Sequence, residues 1–419
     1  MCIRDRVGRV LSKSKATIAC WAMGLTQQPN GVSVIQEVVN LLLMGGHVGR
    51  PGAGFCPVRG HSNVQGDRTV GIWEAAPVSF IKKMEQGLNI TIPKEHGYDV
   101  VNAIHAMKDG KVDVFFCMGG NFISATPDTF ATADGLRKVG LTVQVSTKLN
   151  RSHLVTGDEA IILPCLGRTE IDVQRSGEQF VTVENSMGIV HQSRGGLQPA
   201  SQHLRSEPWI VSNLSSHLFD DSPLNWLELI DNYDSIRDLM EISLNGFHDY
   251  NTRVRQENGF LLPNPPRDSR SFDTPSKKAQ FTTHDLPNVS IPSDRFVMMT
   301  IRSHDQYNTT IYDVHDRYRG ISGNRRIVLM NALDMAERGW KNRQIVSISS
   351  HFNGEVRTST DWIVVAYEIP RQNVATYFPE ANSLVPLNST ARISNTPTSK
   401  WIEVSLKSEP FEQKGAEEE

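Results

Sequence analysis

The spacing of apolar residues changes along this chain, and each change marks a different kind of element. Thr17-Ile18-Ala19-Cys20-Trp21 reads as a short buried strand. Val34, Ile35, Val38, Leu41 and Leu42 then recur at helical spacing and predict a helix over 33–44. Ser33 with Gln36 would open it as a capping box, and Gly45 and Gly46 would stop it. The run 112–118 predicts a strand broken by Gly119-Gly120-Asn121. Thr126-Pro127-Asp128 predicts a helix start with proline at the first position, running to about Val139. Strands follow at 141–145 and 160–163. Strand, glycine turn, helix, strand is the pattern of a doubly wound parallel sheet, which takes ligands at its strand C-termini.

Residues 205–245 read as mainly helical, anchored by Trp209, Ile210, Leu214, Trp226, Leu227, Leu229 and Ile230. Past Arg295 the pattern is that of strands, at 296–301, 326–329, 345–349, 362–366 and 401–406. A further strand, 356–358, follows an Asn353-Gly354 hairpin turn, and one short helix lies at 333–338. So many short strands suggest a small barrel. The fold class expected is α/β, with a doubly wound parallel-sheet region over 1–246 and a small β-barrel over 295–410. A polar, proline-rich connection over 247–294 would join them, and a tail, 411–419, would fray.

Composition narrows the field. The chain has 419 residues, 39% hydrophobic and 21% charged, as an ordinary globular protein does. A net charge of −3 gives no sign of a nucleic-acid partner or a polybasic membrane surface. No apolar run has the length of a membrane span, and Met1 to Arg6 is too polar for a signal peptide. The five cysteines form no C-x-x-C pair and no cluster with histidines, so their spacing marks no zinc or iron–sulfur site. Such a scattered set fits free thiols in a reducing, cytoplasmic setting.

The candidate chemistry centres on residues 45–66. This stretch is dense in glycine and then places Arg59, His61, Asn63 and Gln65 on alternate positions. Gly/Pro-rich runs are usually plain surface loops, but linkers favour Ser and acidic residues over Arg, Asn and Gln. A binding loop is therefore expected here. Gly119-Gly120-Asn121 alone is weak evidence, because such turns occur in many sheets without a ligand. No G-x-G-x-x-G follows a strand, which argues against a plain dinucleotide-dependent dehydrogenase.

Taken together, the motifs resemble a known family. The resemblance is carried by Gly24-Leu25-Thr26-Gln27, Asn40-Leu41-Leu42-Leu43, Gly49-Arg50-Pro51-Gly52-Ala53-Gly54 and the run from Val58 to Gly66. It continues in family order through Met118-Gly119-Gly120-Asn121 with Pro127-Asp128, then 274–281, 302–310 and 379–384. The pattern is similar to that of the large subunits of molybdopterin oxidoreductases, in the dimethyl sulfoxide reductase superfamily. Residues 147–153, Arg194-Gly195-Gly196 and Gly60-His61-Ser62 look closest to the formate-dehydrogenase-like FdhF/YdeP branch. The resemblance covers nearly the whole chain, with Met1 to Arg6 matching nothing. It corresponds to the C-terminal half of such proteins, whose barrel is double-psi-like.

The resemblance implies a cofactor, a molybdenum (or tungsten) ion held by bis-molybdopterin guanine dinucleotide. It puts the metal's own ligand, and any 4Fe-4S cluster, in sequence upstream of this chain. Cofactor-binding residues would be Gly24, Thr26, Gln27, Gly60, Asn63, Gln65, Gly119, Asn121, Arg302, Ser303, Gln306, Thr309 and Asn382, with no metal ligand in this chain. Arg59 would either orient an anionic substrate or serve a pterin contact or structural salt bridge, and His61 would either carry a proton or only hydrogen-bond. These two are the candidates for catalysis. Cys56 is read as a plain thiol. The implied activity is two-electron redox of a small substrate, formate above all, with an electron-transfer partner protein, and this chain alone would be inactive. The competing reading is a non-catalytic scaffold of the same fold.

Overall fold

A computed structural model describes residues 2–287, 290–309 and 311–408, so Thr310 of the 302–310 motif and the 411–419 tail lie outside the described residues. The helix Ile3–Lys13 opens the chain and buries none of its residues. β1 (Ile18–Trp21) pairs in parallel with β2 (Gly54–Pro57), Cys20 opposite Cys56. The glycine-rich stretch 45–66 is therefore more than a loop, since it contains β2 and runs into the helix Val64–Thr69. The helix Gly31–Met44 starts before the expected Ser33–Gln36 box. Its N-cap is Asn30, without a side-chain cap bond. A Cβ on Gly31 would lie 2.8 Å from the carbonyl oxygens of Leu25 and Thr26, so glycine lets the first turn seat on the preceding segment.

The main sheet is β3 (Val114–Met118), β4 (Leu141–Ser146) and β5 (Glu159–Pro164), side by side in that order and all parallel. Gly119 and Gly120, at φ +70° and +75°, turn the chain off the C-terminal end of β3. The helix expected from residue 126 starts later, at Thr129, and ends at Leu136. Asp128 is its N-cap, accepting from Ala131 N, so Pro127 stands ahead of the cap instead of at the first helical position. Met107, Ile123, Leu136 and Val139 form the core under this sheet.

Helices Glu207–Leu218, Trp226–Asp231 and Tyr233–Ser243 fill the region read as helical. Before them lie strands the pattern did not show. β6 (Asp172–Gln174) pairs with β7 (Gly177–Gln179), and β8 (Val181–Glu184) with β9 (Ile189–Ser193). β10 (Phe260–Leu261), from within the supposed connection, adds to β9. Phe247, Tyr250, Val254, Phe260 and Leu262 are buried with Phe180 and Val190, so the first part of 247–294 belongs to a core. Isolated aromatics between polar residues hid this from the sequence.

β11 (Phe296–Ile301), β12 (Ile327–Met330), β13 (Ile345–Phe352), β14 (Glu355–Ala366), β15 (Asn373–Tyr377) and β16 (Ile402–Ser408) close a barrel in the order β11-β15-β12-β14-β13-β16. Asn353 and Gly354 both take positive φ, as the hairpin turn requires. The two strands expected at 356–358 and 362–366 are one, β14, with Asp361 at φ +62° inside it. β12 is buried along its whole length. Val328 and Met330 pack with Trp362 in the main barrel core, while Ile327 and Leu329 pack with Ile321 and Tyr377 outside it. That is why it reads as an unbroken apolar run.

The barrel meets the α/β part along a seam of main-chain bonds. Lys400 N donates to Gln27 O at 3.0 Å, Arg392 N to Pro29 O at 3.1 Å, and Asp128 N to Asn382 O at 3.0 Å. Arg357 Nε donates to Asp128 Oδ2 at 2.8 Å, and Leu387 is buried with Val101 and Ile104. Asn382, buried, donates from Nδ2 to Ser124 O at 2.6 Å and Thr126 O at 3.2 Å. Asn382→Ala leaves these carbonyls without that donor, so stability to urea should fall by about 1–3 kcal/mol. An unchanged unfolding midpoint would show that the seam does not depend on this amide.

Candidate functional site

Residues 302–313, between β11 and β12, are wired by one buried guanidinium. Arg325 donates to Ser303 Oγ (3.0 Å), Asp313 O (3.2 Å), Gln306 Oε1 (2.9 Å), Phe378 O (2.8 Å) and Glu380 Oε1 (2.8 Å). Its planar head lies over the rings of Tyr312 and Tyr377. Gln306 Nε2 donates in turn to the carbonyls of Asn308 and Phe378. The polar groups of Ser303 and Gln306 are thus engaged within the chain, and both residues shape the loop. Arg302, Tyr307, Asn308 and Thr309 carry its outward chemistry.

This loop meets the start of the 59–66 run, which in turn meets the segment 23–27. A Cβ on Gly60 would lie 3.2 Å from Met23 Cε, which places Gly60 against the turn carrying Gly24, Thr26 and Gln27. Gln27 Nε2 rests 3.7 Å from Met23 Sδ. Asn308 Nδ2 lies 2.9 Å from His61 Nε2, and Tyr307 Oη lies 3.3 Å from His61 Nδ1. With the amide assigned as donor, the imidazole carries its proton on Nδ1. Burial, and then the nearby charge of Arg302, lower the His61 pKa, so the ring is neutral at pH 7.

Burial also lowers the Arg302 pKa, and among the described residues Arg302 forms no ion pair. Lys400 Nζ donates to the Thr300 carbonyl and, at 3.4 Å, to Thr300 Oγ1. Burial and the charge of Arg302 bring its pKa down to about 8. Arg302 and Lys400 are thus two desolvated cations near the His61 imidazole, without a carboxylate among their described partners.

A cleft, of about 520 Å³, opens at the C-terminal end of the parallel sheet and is roofed by the barrel. Asn121, Asn150 and Arg151 line it from the sheet side, and Thr309, Tyr312 and Glu380 from the barrel side. Gly119 N is bonded to Val145 O, so Gly119 supports this rim. Asn121 Oδ1 accepts from Ser152 Oγ at 3.0 Å. Thr309 Oγ1 and Glu380 Oε2 are both buried there without a hydrogen-bond partner among the described residues. Such orphans are rare in folded proteins and point to a ligand that supplies the missing bonds.

A second pocket, of about 450 Å³, is lined by residues of the α/β part. Arg59 enters it, held by Gln65 Oε1, which accepts from Nε at 3.1 Å and from Nη2 at 2.7 Å. Asn63, at φ +66°, is engaged by its own surroundings, with Oδ1 accepting from Glu184 N and Nδ2 donating to Asp67 Oδ1. The structure therefore separates the two residues expected to share catalysis. Arg59 faces this pocket, and His61 faces the barrel loop.

Sequence reasoning missed Lys400, Glu380, Tyr312 and Glu184. Glu380 stood in the 379–384 motif, beside the residue chosen from it. Asn150 and Arg151 stood in the 147–153 match. Lys400 and Glu184 left no local signal, since their partners are remote in sequence. Among the described residues, no group of three or more His, Cys, Asp or Glu could hold a metal ion, and no helix is long and apolar enough to cross a membrane.

Comparison with known proteins gives a consistent result. Residues 3–216 match the family described as Molybdopterin oxidoreductase, and residues 296–403 the Molydopterin dinucleotide binding domain. The first match begins at residue 3, so most of the opening segment expected to match nothing does fall within the family pattern. An uncharacterized oxidoreductase of Mycobacterium tuberculosis is 51% identical over 408 residues, 96% of this chain and 52% of the relative. Protein YdeP of Escherichia coli K12 is 42% identical over 400 residues, 94% of this chain and 52% of that protein. A putative formate dehydrogenase of Bacillus subtilis is 24% identical over 221 residues, 51% of this chain and 21% of that protein. The chain thus spans about half the length of the Mycobacterium and Escherichia relatives. The solved acetylene hydratase from Pelobacter acetylenicus shares the fold, with a TM-score of 0.64 at 12% identity, over 96% of this chain and 62% of that one.

Lys400 gives a test of the site that needs no relative. Its folded pKa of about 8 lies below the usual 10.5, so between those values the unfolded chain holds a proton that the folded chain has shed. Folding stability should therefore rise with pH across this window, at no more than about 1.4 kcal/mol per pH unit from this group. Lys400→Met should remove that rise in denaturant titrations from pH 7.5 to 10.5. Parallel curves for the two proteins would mean that Lys400 is not desolvated.

Proposed function

The chain belongs to the molybdopterin oxidoreductases of the dimethyl sulfoxide reductase superfamily, and we propose that the complete protein binds molybdenum (or tungsten) with bis-molybdopterin guanine dinucleotide. The observation that carries this reading is the pair of buried orphans, Thr309 Oγ1 and Glu380 Oε2, in one cleft at the end of the parallel sheet. A carboxylate oxygen accepts from a base edge that offers adjacent N–H donors, and guanine offers its ring N–H beside an amino group. Lys148, Arg151 and Arg326 line the same cleft and suit the phosphates. The residues present therefore fit a dinucleotide. Asn121, Thr309 and Glu380 would hold its base end, and Arg302, Lys400 and the 23–27 turn an anionic or pterin portion.

When bound, the cofactor supplies a metal that exchanges an electron pair with a small substrate. Formate oxidation is the leading assignment. Arg59 would hold the substrate oxyanion, with Gln65 fixing its guanidinium. His61, neutral and held by the barrel loop, would keep the cleft walls in register. The rest of the complete protein would contribute the metal ligand and any 4Fe-4S cluster, and a partner protein would exchange electrons with it in the cytoplasm. A non-catalytic scaffold remains the second reading, because Ser303, Gln306, Asn63 and Asn382 all bond inside the chain.

The full-length protein, purified from cells that make the cofactor, should contain the metal and release guanine nucleotide on hydrolysis. Finding neither would sink the reading. Glu380→Gln keeps an acceptor for Arg325 while turning an acceptor into a donor toward the base, so retained nucleotide should drop about tenfold or more, a loss of roughly 1.4 kcal/mol. Arg59→Ala should reduce turnover about a hundredfold with little loss of cofactor. Equal losses of turnover and cofactor would make Arg59 a cofactor-binding residue. Cofactor without turnover on any small substrate would favour the scaffold.

A further inference from the structure

Two of the cysteines share one face of one small sheet. β1 and β2 run in parallel with Cys20 directly opposite Cys56. The backbone bonds from Gly54 N to Thr17 O (3.0 Å) and from Val58 N to Trp21 O (2.8 Å) fix that register on either side. Side chains of directly paired residues point to the same face. Their Cα atoms stand at about the strand spacing of 4.8 Å, inside the range of about 4.4–6.8 Å that a disulfide spans. The sequence hides this pair, because the helix Gly31–Met44 and the glycine-rich turn lie between its members. Among the described residues no other two cysteines are paired in this way. Cys2 precedes the helix Ile3–Lys13, Cys117 stands opposite Gln144 in the main sheet, and Cys165 follows β5.

The two thiols differ in access. Cys20 is exposed, whereas Cys56 is only 8% exposed. Burial, and then the Cys20 thiol beside it, push the Cys56 pKa up, so Cys56 stays a protonated thiol that outside reagents reach poorly. An accessible sulfur with a second one next to it is the arrangement in which the first is modified and the second resolves the adduct. A bond between them would also be easy to reduce. Cβ atoms held at strand spacing sit wider than the roughly 3.8 Å of a relaxed disulfide, so the strands must tighten to close it. β1 and β2 form a sheet of two, with no third strand among the described residues to resist that movement.

We propose that Cys20 and Cys56 are a reversible dithiol–disulfide couple that fastens the strand entering the 23–27 turn to the strand leading into Arg59. The oxidant is a small disulfide such as oxidised glutathione. The Cys20 thiolate attacks one of its sulfurs, that S–S bond breaks, and one thiol leaves. Cys56 then gives up its proton and attacks the Cys20 sulfur, and the second thiol leaves. Each leaving sulfur takes up one of the two protons shed by the cysteines. Two protein thiols are thereby oxidised by two electrons, while the small disulfide is reduced to two thiols. Excess reduced glutathione runs the exchange backwards. In a reducing compartment the pair rests as thiols and closes only under oxidative load. The bond would join the feet of the segments 23–27 and 58–66, and so tie their spacing to the redox state of the surroundings. The couple stands whether or not the complete protein binds the cofactor.

The test uses the full-length protein in buffers running from reduced to oxidised glutathione. The free-thiol count should fall by two on oxidation and recover with dithiothreitol. Cleavage after Glu37, which lies between the two cysteines, should give peptides joined through Cys20 and Cys56 that part on reduction. Cys56→Ala should stop halfway, with one glutathione on Cys20. Amide exchange over 18–27 and 54–61 should slow in the oxidised wild type and not in Cys56→Ala. An unchanged thiol count overturns the couple. So does a bridge from either cysteine to a different partner, or glutathione that persists on Cys20 in the wild type. A Cys20–Cys56 bridge that leaves exchange in both segments unchanged overturns the fastening.

Discussion

A buried arginine must find partners for its donors, and Arg325 does so by drawing three stretches of chain together. Ser303, Gln306 and Asp313 come from the loop after β11, Phe378 from the end of β15, and Glu380 from the 3-10 turn Glu380–Leu384. The desolvation cost of the guanidinium is offset only while all of them stay in place, and removing one partner of such a pair commonly costs about 3–5 kcal/mol. The loop facing the α/β part is thereby held by the barrel from beneath. Arg302, Tyr307, Asn308 and Thr309 inherit their positions from this arrangement. Pairing with Arg325 also fixes one oxygen of Glu380 and leaves the other without a partner among the described residues.

The clefts follow from bringing two different edges together. In the parallel sheet β3 ends in a glycine turn with positive φ, which leaves room at its C-terminus. The barrel ends in a polar loop stiffened by Arg325. Neither edge is a pocket alone. Joined along the seam, they enclose a space lined by Thr309 and Glu380 and bring the cations Arg302 and Lys400 close to one another. A further space, around Arg59, belongs wholly to the α/β part and is controlled by helix Val64–Thr69 and β8.

Much of the fold was legible because it depends on local periodicity. The helix over 31–44, the strands β3, β4 and β5, and all of the barrel except β15 announce themselves by spacing and turn residues. β15 did not, because its Thr376 is fully buried in an otherwise short run and blurs the pattern. The small strands β6 to β10 were too brief to show a period. The site was less legible, for a different reason. Ser303 and Thr309 are chemically alike and lie on one loop, yet Arg325 satisfies the first and the second has no partner among the described residues. Nothing local separates them. The same holds for Arg59 and His61, two positions apart and facing different spaces. Lys400 is ordinary in sequence and unusual only because its ammonium meets Thr300 and Arg302.

The seam has a consequence for how such a protein can change over time. Its three main-chain bonds, from Lys400 N, Arg392 N and Asp128 N, use groups that almost every residue possesses. Mutation of the side chains at these positions leaves the bonds available, so the two halves can keep their relative placement while sequence drifts. A fold shared at 12% identity with the acetylene hydratase is what such a joint permits. The side chains facing the clefts are free to diverge, and new chemistry can be tried there without loosening the frame that holds it.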